Sequence, residues 1–179
     1  MKHAAIICIS CISTVAVADT AHDFTFPRLE GGELALSEHA GEVLLIANTA
    51  SLCAFTPQYE ALQSVADEYA DAGLVVIGIP SDDFGGQELE SAEAVQDFCT
   101  LTYDITFPMT DITTVKGRGA HPFFDWIAAE GGRSALPRWN FTKYLVSREG
   151  EFLGSWPSGV RPTGREMRAA IEAALDAQS

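Results

Sequence analysis

The chain has 179 residues, 47% of them hydrophobic and 20% charged, with a formal charge of −14. That length and composition fit one ordinary globular domain with a sizeable core. So acidic a surface repels nucleic acid and anionic lipid alike, which excludes a nucleic-acid partner and disfavours anionic substrates unless a local basic patch receives them.

The first 18 residues differ from the rest. Lys2 and His3 give a basic start, residues 4–15 are apolar and small, and Ala16-Val17-Ala18 reads as an A-x-A cleavage site. The apolar run is too short to span a membrane, and no stop-transfer pattern follows. The segment is expected to be a secretory signal, with the mature domain over 19–179 and no membrane span. Export would carry the protein across the inner membrane, into the periplasm if the source is bacterial. Cleavage would remove Lys2 and no acidic residue, lowering the charge by one more unit. It would also take Cys8 and Cys11, leaving Cys53 and Cys99 in an oxidising compartment. Two cysteines are too few for a disulfide scaffold or a tetrahedral zinc site.

Residues 24–29 and 33–36 predict a hairpin around Gly31-Gly32. A buried strand over 43–48, a helix over 57–71 and a second strand over 74–79 follow. The helix has apolar residues at 62, 65, 66 and 69, the spacing of a core-facing stripe. Such a strand–helix–strand order implies a parallel pair. Ser91 caps a helix that runs through Cys99. His121-Pro122 opens another, which stops at Gly131-Gly132; His121 is read as a helix-start residue and not as a ligand. Residues 141–147 and 152–156 predict an antiparallel hairpin. Thr163 and Glu166 form a capping-box pattern ahead of a last helix burying Met167, Ala170, Ile171, Ala174 and Leu175. The order argues an α/β domain.

Cys53 lies in a polar loop between the first buried strand and the helix, with Thr56 placed to cap that helix and Pro57 at its first position. A thiol just ahead of a helix start is near the positive end of the macrodipole, which favours the reactive thiolate.

Three segments together resemble the glutathione peroxidase family: residues 48–59 around Cys53, Phe84-Gly85-Gly86-Gln87-Glu88, and Trp139-Asn140-Phe141-Thr142-Lys143. They stand in the family's order and spacing, and the similarity runs from about residue 24 into the last helix. The resemblance implies a thioredoxin-like fold, a central mixed β-sheet flanked by helices with an N-terminal β-hairpin. It also implies a catalytic tetrad of Cys53, Gln87, Trp139 and Asn140. The chemistry has its own demand: a thiolate attacking a peroxide needs donors that stabilise its charge and then the leaving oxyanion. The Gln87 amide, the Trp139 indole N–H and the Asn140 amide are neutral donors of that kind.

Cys99, in Asp97-Phe98-Cys99-Thr100-Leu101, resembles the resolving cysteine of the family's thioredoxin-dependent, two-cysteine, non-selenium branch. By that resemblance it would attack a Cys53 sulfenic acid and form a disulfide. The bland reading, Cys99 as a core residue on one face with Val95, is compatible with this. A disulfide needs Cα atoms within about 7 Å, so the helix is expected to unwind partly during turnover. Residues 130–138 lack the longer insertion of the tetrameric relatives, which implies a monomer. The expected activity is reduction of hydrogen peroxide and of organic or lipid hydroperoxides, without metal or organic cofactor. The reductant would be a thioredoxin-like dithiol protein or glutathione. The alternative is a peroxide sensor that relays its oxidation to a partner protein.

Overall fold

The computed structural model describes residues 20–177. The expected signal segment and its cleavage point lie outside the described residues. A two-stranded antiparallel hairpin comes first, β1 (Thr25–Pro27) and β2 (Glu33–Ala35). Its connection uses Gly31 and Gly32 at φ +91° and +82°, a conformation that L side chains resist. Then follow β3 (Val43–Thr49), α1 (Gln58–Tyr69), β4 (Leu74–Pro80), α2 (Ala92–Tyr103), α3 (Pro122–Gly131), β5 (Lys143–Val146), β6 (Phe152–Trp156) and α4 (Arg165–Asp176). The main sheet has the order β4-β3-β5-β6. β3 runs parallel to β4 and antiparallel to β5, so the sheet is mixed.

Every residue of β3 is buried because the sheet is covered on both faces. Val43, Leu45 and Ala47 point to a core shared with Leu62 and Val65 of α1, Val95 and Cys99 of α2, and Met167 and Ile171 of α4. Leu44 and Ile46 face the opposite core, with Phe123, Phe124 and Ile127 of α3 and Phe26 and Leu34 of the hairpin. Each such fully buried aliphatic side chain contributes about 1.5–3 kcal/mol of transfer free energy. The result is the thioredoxin-like arrangement that the family resemblance implied, with the N-terminal hairpin laid on one face.

Local chemistry moved several boundaries. Thr56 does not cap α1: its hydroxyl is taken up inside the preceding loop, and Pro57 occupies the position ahead of the helix. The helix stops at Tyr69 and continues as a 3-10 turn, Ala70–Ala72, closed by Gly73 at φ +91°. β5 begins two residues later than the pattern suggested, because Phe141 adopts φ +60°, which no extended strand can contain. The capping box at Thr163 and Glu166 does not form; Gly164 precedes α4 without a side-chain cap, and the Thr163 carbonyl instead accepts Arg168 Nε at 3.0 Å. Of that helix's expected core residues, Met167, Ile171 and Ala174 are buried, while Ala170 and Leu175 pack partly exposed. Ser91 does cap α2, accepting the Ala94 N–H at 3.2 Å. His121 opens α3 as expected, with Nδ1 accepting the Phe123 N–H and Nε2 placed 3.0 Å from the Thr25 carbonyl.

The two described chain ends meet at one pole. The Ala21 N–H donates to the Gly150 carbonyl at 2.8 Å. Arg148 donates to the carbonyls of Gly41, Ala72 and Leu175, tying the starts of β3 and β4 to the end of α4. Since Val146 pairs with Leu44, this pole lies at the start of β3, whereas Cys53 follows its end.

Candidate active site

At the end of β3 the chain turns through eight residues, 50–57, before α1. Ser51 is buried, Leu52 is 60% exposed and Cys53 is 7% exposed. Thr56 shapes this turn: its Oγ1 accepts the Cys53 N–H at 2.9 Å and donates to the Ala50 carbonyl at 2.8 Å. The Phe55 N–H points at Cys53 Sγ, 3.4 Å away. A backbone amide at the head of a helix is a fixed donor that favours a sulfur anion.

The second loop joins the first through its backbone. Leu52 N–H donates to the Gln87 carbonyl at 2.9 Å, and Ser51 N–H donates to Glu88 Oε1 at 3.1 Å. Gly85 and Gly86, both at positive φ, make the tight bend that delivers Gln87. Phe84 underlies Trp139, with ring centroids 5.9 Å apart.

The third loop is held by Asn48 at the end of β3. Asn48 Nδ2 donates to the Trp139 carbonyl at 3.2 Å, Asn48 Oδ1 accepts the Thr142 N–H at 3.0 Å, and the Phe141 N–H donates to the Asn48 carbonyl at 2.6 Å. These bonds enforce the left-handed Phe141, a conformation that costs a bulky residue about 1–3 kcal/mol. The bend buries Asn140 and leaves Trp139 41% exposed. Asn140 Nδ2 then donates to Gln87 Oε1 at 3.1 Å, linking the second and third loops side chain to side chain. The second loop, with Gln87, thus bonds directly to the Cys53 turn, and the third, with Trp139 and Asn140, is joined to it through the Asn140–Gln87 bond and to the end of β3 through Asn48.

Cys99 sits apart, inside α2 and 2% exposed, and both cysteines are free thiols. Burial pushes the Cys99 thiol up to about 11; a contact with the Tyr59 hydroxyl pulls it down, and the Glu88 carboxylate raises it further. Tyr59, fully buried on α1, lies beside Cys99 and Thr49 without a hydrogen bond of normal geometry, and burial pushes its phenol well up.

A family model for glutathione peroxidase matches residues 21–128. The chain belongs to the glutathione peroxidase family. The hydroperoxy fatty acid reductase of Synechocystis sp. is 38% identical over 170 residues, covering 90% of this chain and 99% of that protein. The glutathione peroxidase homolog BsaA of Staphylococcus epidermidis is 38% identical over 159 residues, covering 88% and 99%. Among solved structures, the apo form of Trgpx superposes with a TM-score of 0.72 at 32% identity, over 90% of this chain and 98% of that one. A thioredoxin-family thiol:disulfide interchange protein from Chlorobium tepidum superposes at 0.65 with 18% identity, covering 90% and 99%, and shows the shared fold alone. The enzyme class is therefore peroxidase.

Two charged side chains of this family member stand inside the sequence motifs, and the motif reading gave them no role. Lys143 is fully buried at the start of β5, and its Nζ reaches Gln58 Oε1 at 3.0 Å and the carbonyls of Phe141 at 2.7 Å, Pro157 at 3.3 Å and Ser158 at 3.4 Å. It braces the third loop against the head of α1. Burial pushes its ammonium down to about 7. Glu88 is buried between the Cys53 turn and α2, with no cation within ion-pair distance among the described residues. The signal in both cases was a charged residue beside apolar or glycine-rich neighbours, which by itself also fits a solvated face. A hollow of about 280 Å³ opens next to the Cys53 turn, lined by Ala54, Phe55, Pro57, Gln58, Gly159 and Arg161.

Proposed function

We propose that this enzyme is a thiol peroxidase reducing hydrogen peroxide and organic or lipid hydroperoxides at Cys53. The thiolate attacks one peroxide oxygen: an S–O bond forms and the O–O bond breaks. The leaving hydroxide or alkoxide takes a proton to become water or alcohol, and Cys53 is left as a sulfenic acid. The hydrogen bond between Asn140 Nδ2 and Gln87 Oε1 carries this reading. With its oxygen engaged, the Gln87 amide keeps its N–H donors for a thiolate or a departing oxyanion. Asn140 Oδ1 is buried without a partner, an acceptor matched to the O–H of an arriving hydroperoxide. The exposed Leu52 and Trp139 give the site an apolar rim. That rim, and the likeness to a protein named as a hydroperoxy fatty acid reductase, support fatty-acid hydroperoxides among the substrates.

In this reading Cys99 resolves the sulfenic acid. Its sulfur attacks Cys53 Sγ, an S–S bond forms, the S–O bond breaks, and hydroxide leaves with the Cys99 proton as water. The buried Cys99 thiol is inert where it stands, so α2 opens locally first. Only Val95 and Cys99 of its twelve residues are fully buried, which supports a low cost of local opening. A thioredoxin-like dithiol protein then reduces the disulfide, with glutathione the competing reductant. The strong negative charge, which leaves little to hold anionic glutathione, favours the former. A monomer exported on residues 1–18 completes the proposal.

The test is peroxidase kinetics of the mature wild type, Cys53→Ser and Cys99→Ala, with thioredoxin and glutathione supplied separately. Cys53→Ser is expected to lose peroxide consumption, and Cys99→Ala to lose thioredoxin-driven turnover while still forming the sulfenic acid. Peroxide consumption surviving in Cys53→Ser overturns the reading.

A further inference from the structure

Glu88 is a buried carboxyl that the peroxide chemistry above does not use. It follows Gln87 and precedes the three residues that lead into α2. Its Oε1 accepts two backbone amides, Ser51 N–H at 3.1 Å from the Cys53 turn and Leu89 N–H at 2.8 Å from the α2 lead-in. Its own N–H donates to Asp82 Oδ1 at 3.2 Å. The other atom, Oε2, makes no hydrogen bond of normal geometry, and neither do Thr49 Oγ1, Ser51 Oγ and Tyr59 Oη, although the Ser51 hydroxyl lies against the Glu88 carboxyl and Tyr59 against Thr49 and Cys99. All four belong to residues at the base of the Cys53 turn or facing Cys99. Together they form a polar seam between the Cys53 turn and the buried Cys99.

The groups in electrostatic range are few. Cys99 is faced by Tyr59 of α1, by Glu88 and by Tyr103 of its own helix, and Tyr103 is faced by Glu60. Glu88 is faced by Asp82, Ser51, Tyr59 and Cys99, and none of these is a cation. A negative carboxylate therefore opposes a second negative charge on the Cys99 sulfur, while its hydrogen bonds hold the start of α2 to the peroxidatic loop.

We propose that Glu88 is a positioning residue for disulfide formation: it fastens the α2 lead-in to the Cys53 turn and keeps Cys99 a closed, protonated thiol until the helix opens. This rests on the reading of Cys99 as the resolving cysteine. The closed state protects Cys99 from peroxide and makes opening of α2 the gate to the S–S bond. No extra oxidant is required, because the sulfenic acid supplies the leaving hydroxide and Cys99 the proton that turns it into water.

The experiment follows alkylation of Cys99 by iodoacetamide, read by mass, in reduced protein carrying Cys53→Ser. Glu88→Gln keeps an acceptor oxygen for both amides and removes only the charge; Glu88→Ala removes both. At pH 8, Glu88→Gln is expected to alkylate roughly three- to tenfold faster, with its rate–pH curve displaced to lower pH. Glu88→Ala is expected to be faster still. In chains retaining Cys53, one equivalent of hydrogen peroxide should yield the disulfide faster in both variants than in wild type. Unchanged alkylation in folded Glu88→Gln overturns the proposal, as does slower disulfide formation in both variants. Should Glu88→Ala fail to fold, Glu88→Gln alone decides. If wild type forms no Cys53–Cys99 disulfide, the resolving reading fails, and the alkylation rates still judge the tether.

Discussion

Replacing Lys143 by Met tests how the third loop is held to the head of α1. The substitution deletes four contacts but does not orphan four oxygens. The Pro157 carbonyl keeps the Val160 N–H, and the Ser158 carbonyl keeps Gln58 Nε2 at 2.6 Å. Gln58 Oε1 and the Phe141 carbonyl lose the donor the structure gives them. Two buried acceptors left unpaired cost about 2–6 kcal/mol together, offset by the desolvation cost that the buried ammonium no longer exacts. That offset depends on pH. The folded pKa is depressed to about 7 from the ordinary 10.5, so between those values the unfolded chain binds a proton that the folded chain does not. Wild-type stability relative to Lys143→Met should therefore rise with pH above 7, by up to about 1.4 kcal/mol per unit. Below pH 7 Lys143 is protonated in both states and the difference should level off. Urea denaturation of both proteins at pH 6, 7, 8 and 9 measures this, and titrations common to both cancel in the difference. A constant difference across that range would refute the argument, and would mean that the surrounding oxygens keep the ammonium charged.

Two further substitutions probe the site's frame. Thr56→Val should cost about 2–4 kcal/mol by leaving the Cys53 N–H and the Ala50 carbonyl unpaired, while Thr56→Ser should cost much less; thermal unfolding of the pair distinguishes a hydroxyl staple from simple packing. Asn140→Ala frees the Gln87 amide and should slow Cys53 oxidation by at least about tenfold in stopped-flow fluorescence. An unchanged oxidation rate would remove the Asn140–Gln87 bond from the argument for peroxide chemistry.

The elements that read correctly from sequence were those whose pattern has one physical outcome. The apolar run in β3 has to be a strand covered on both faces, and Ser91 and His121-Pro122 have little use except at helix starts. Thr56 and Thr163 show where local reading fails. A threonine ahead of a helix can cap it or bond elsewhere, and the choice depends on which carbonyl lies nearby, as Ala50 does for Thr56. The loops bearing Gln87 and Asn140 were placed by resemblance, but the bond between them spans 53 residues and no local pattern encodes it. Lys143 and Glu88 escaped for a related reason: a buried charge is recognisable only once the oxygens or amides that receive it, from Phe141, Gln58, Ser51 and Leu89, have been folded around it.

The pole where Arg148 and Gly150 gather the described chain ends has a practical side. β3, seven residues long, separates it from the Cys53 turn by about 20 Å. A fluorophore, a biotin or a solid support attached through either end of the described chain would stand at the pole opposite the Cys53 turn. Protein immobilised in this way on a sensor surface should consume peroxide at the same rate per thiol as protein free in solution.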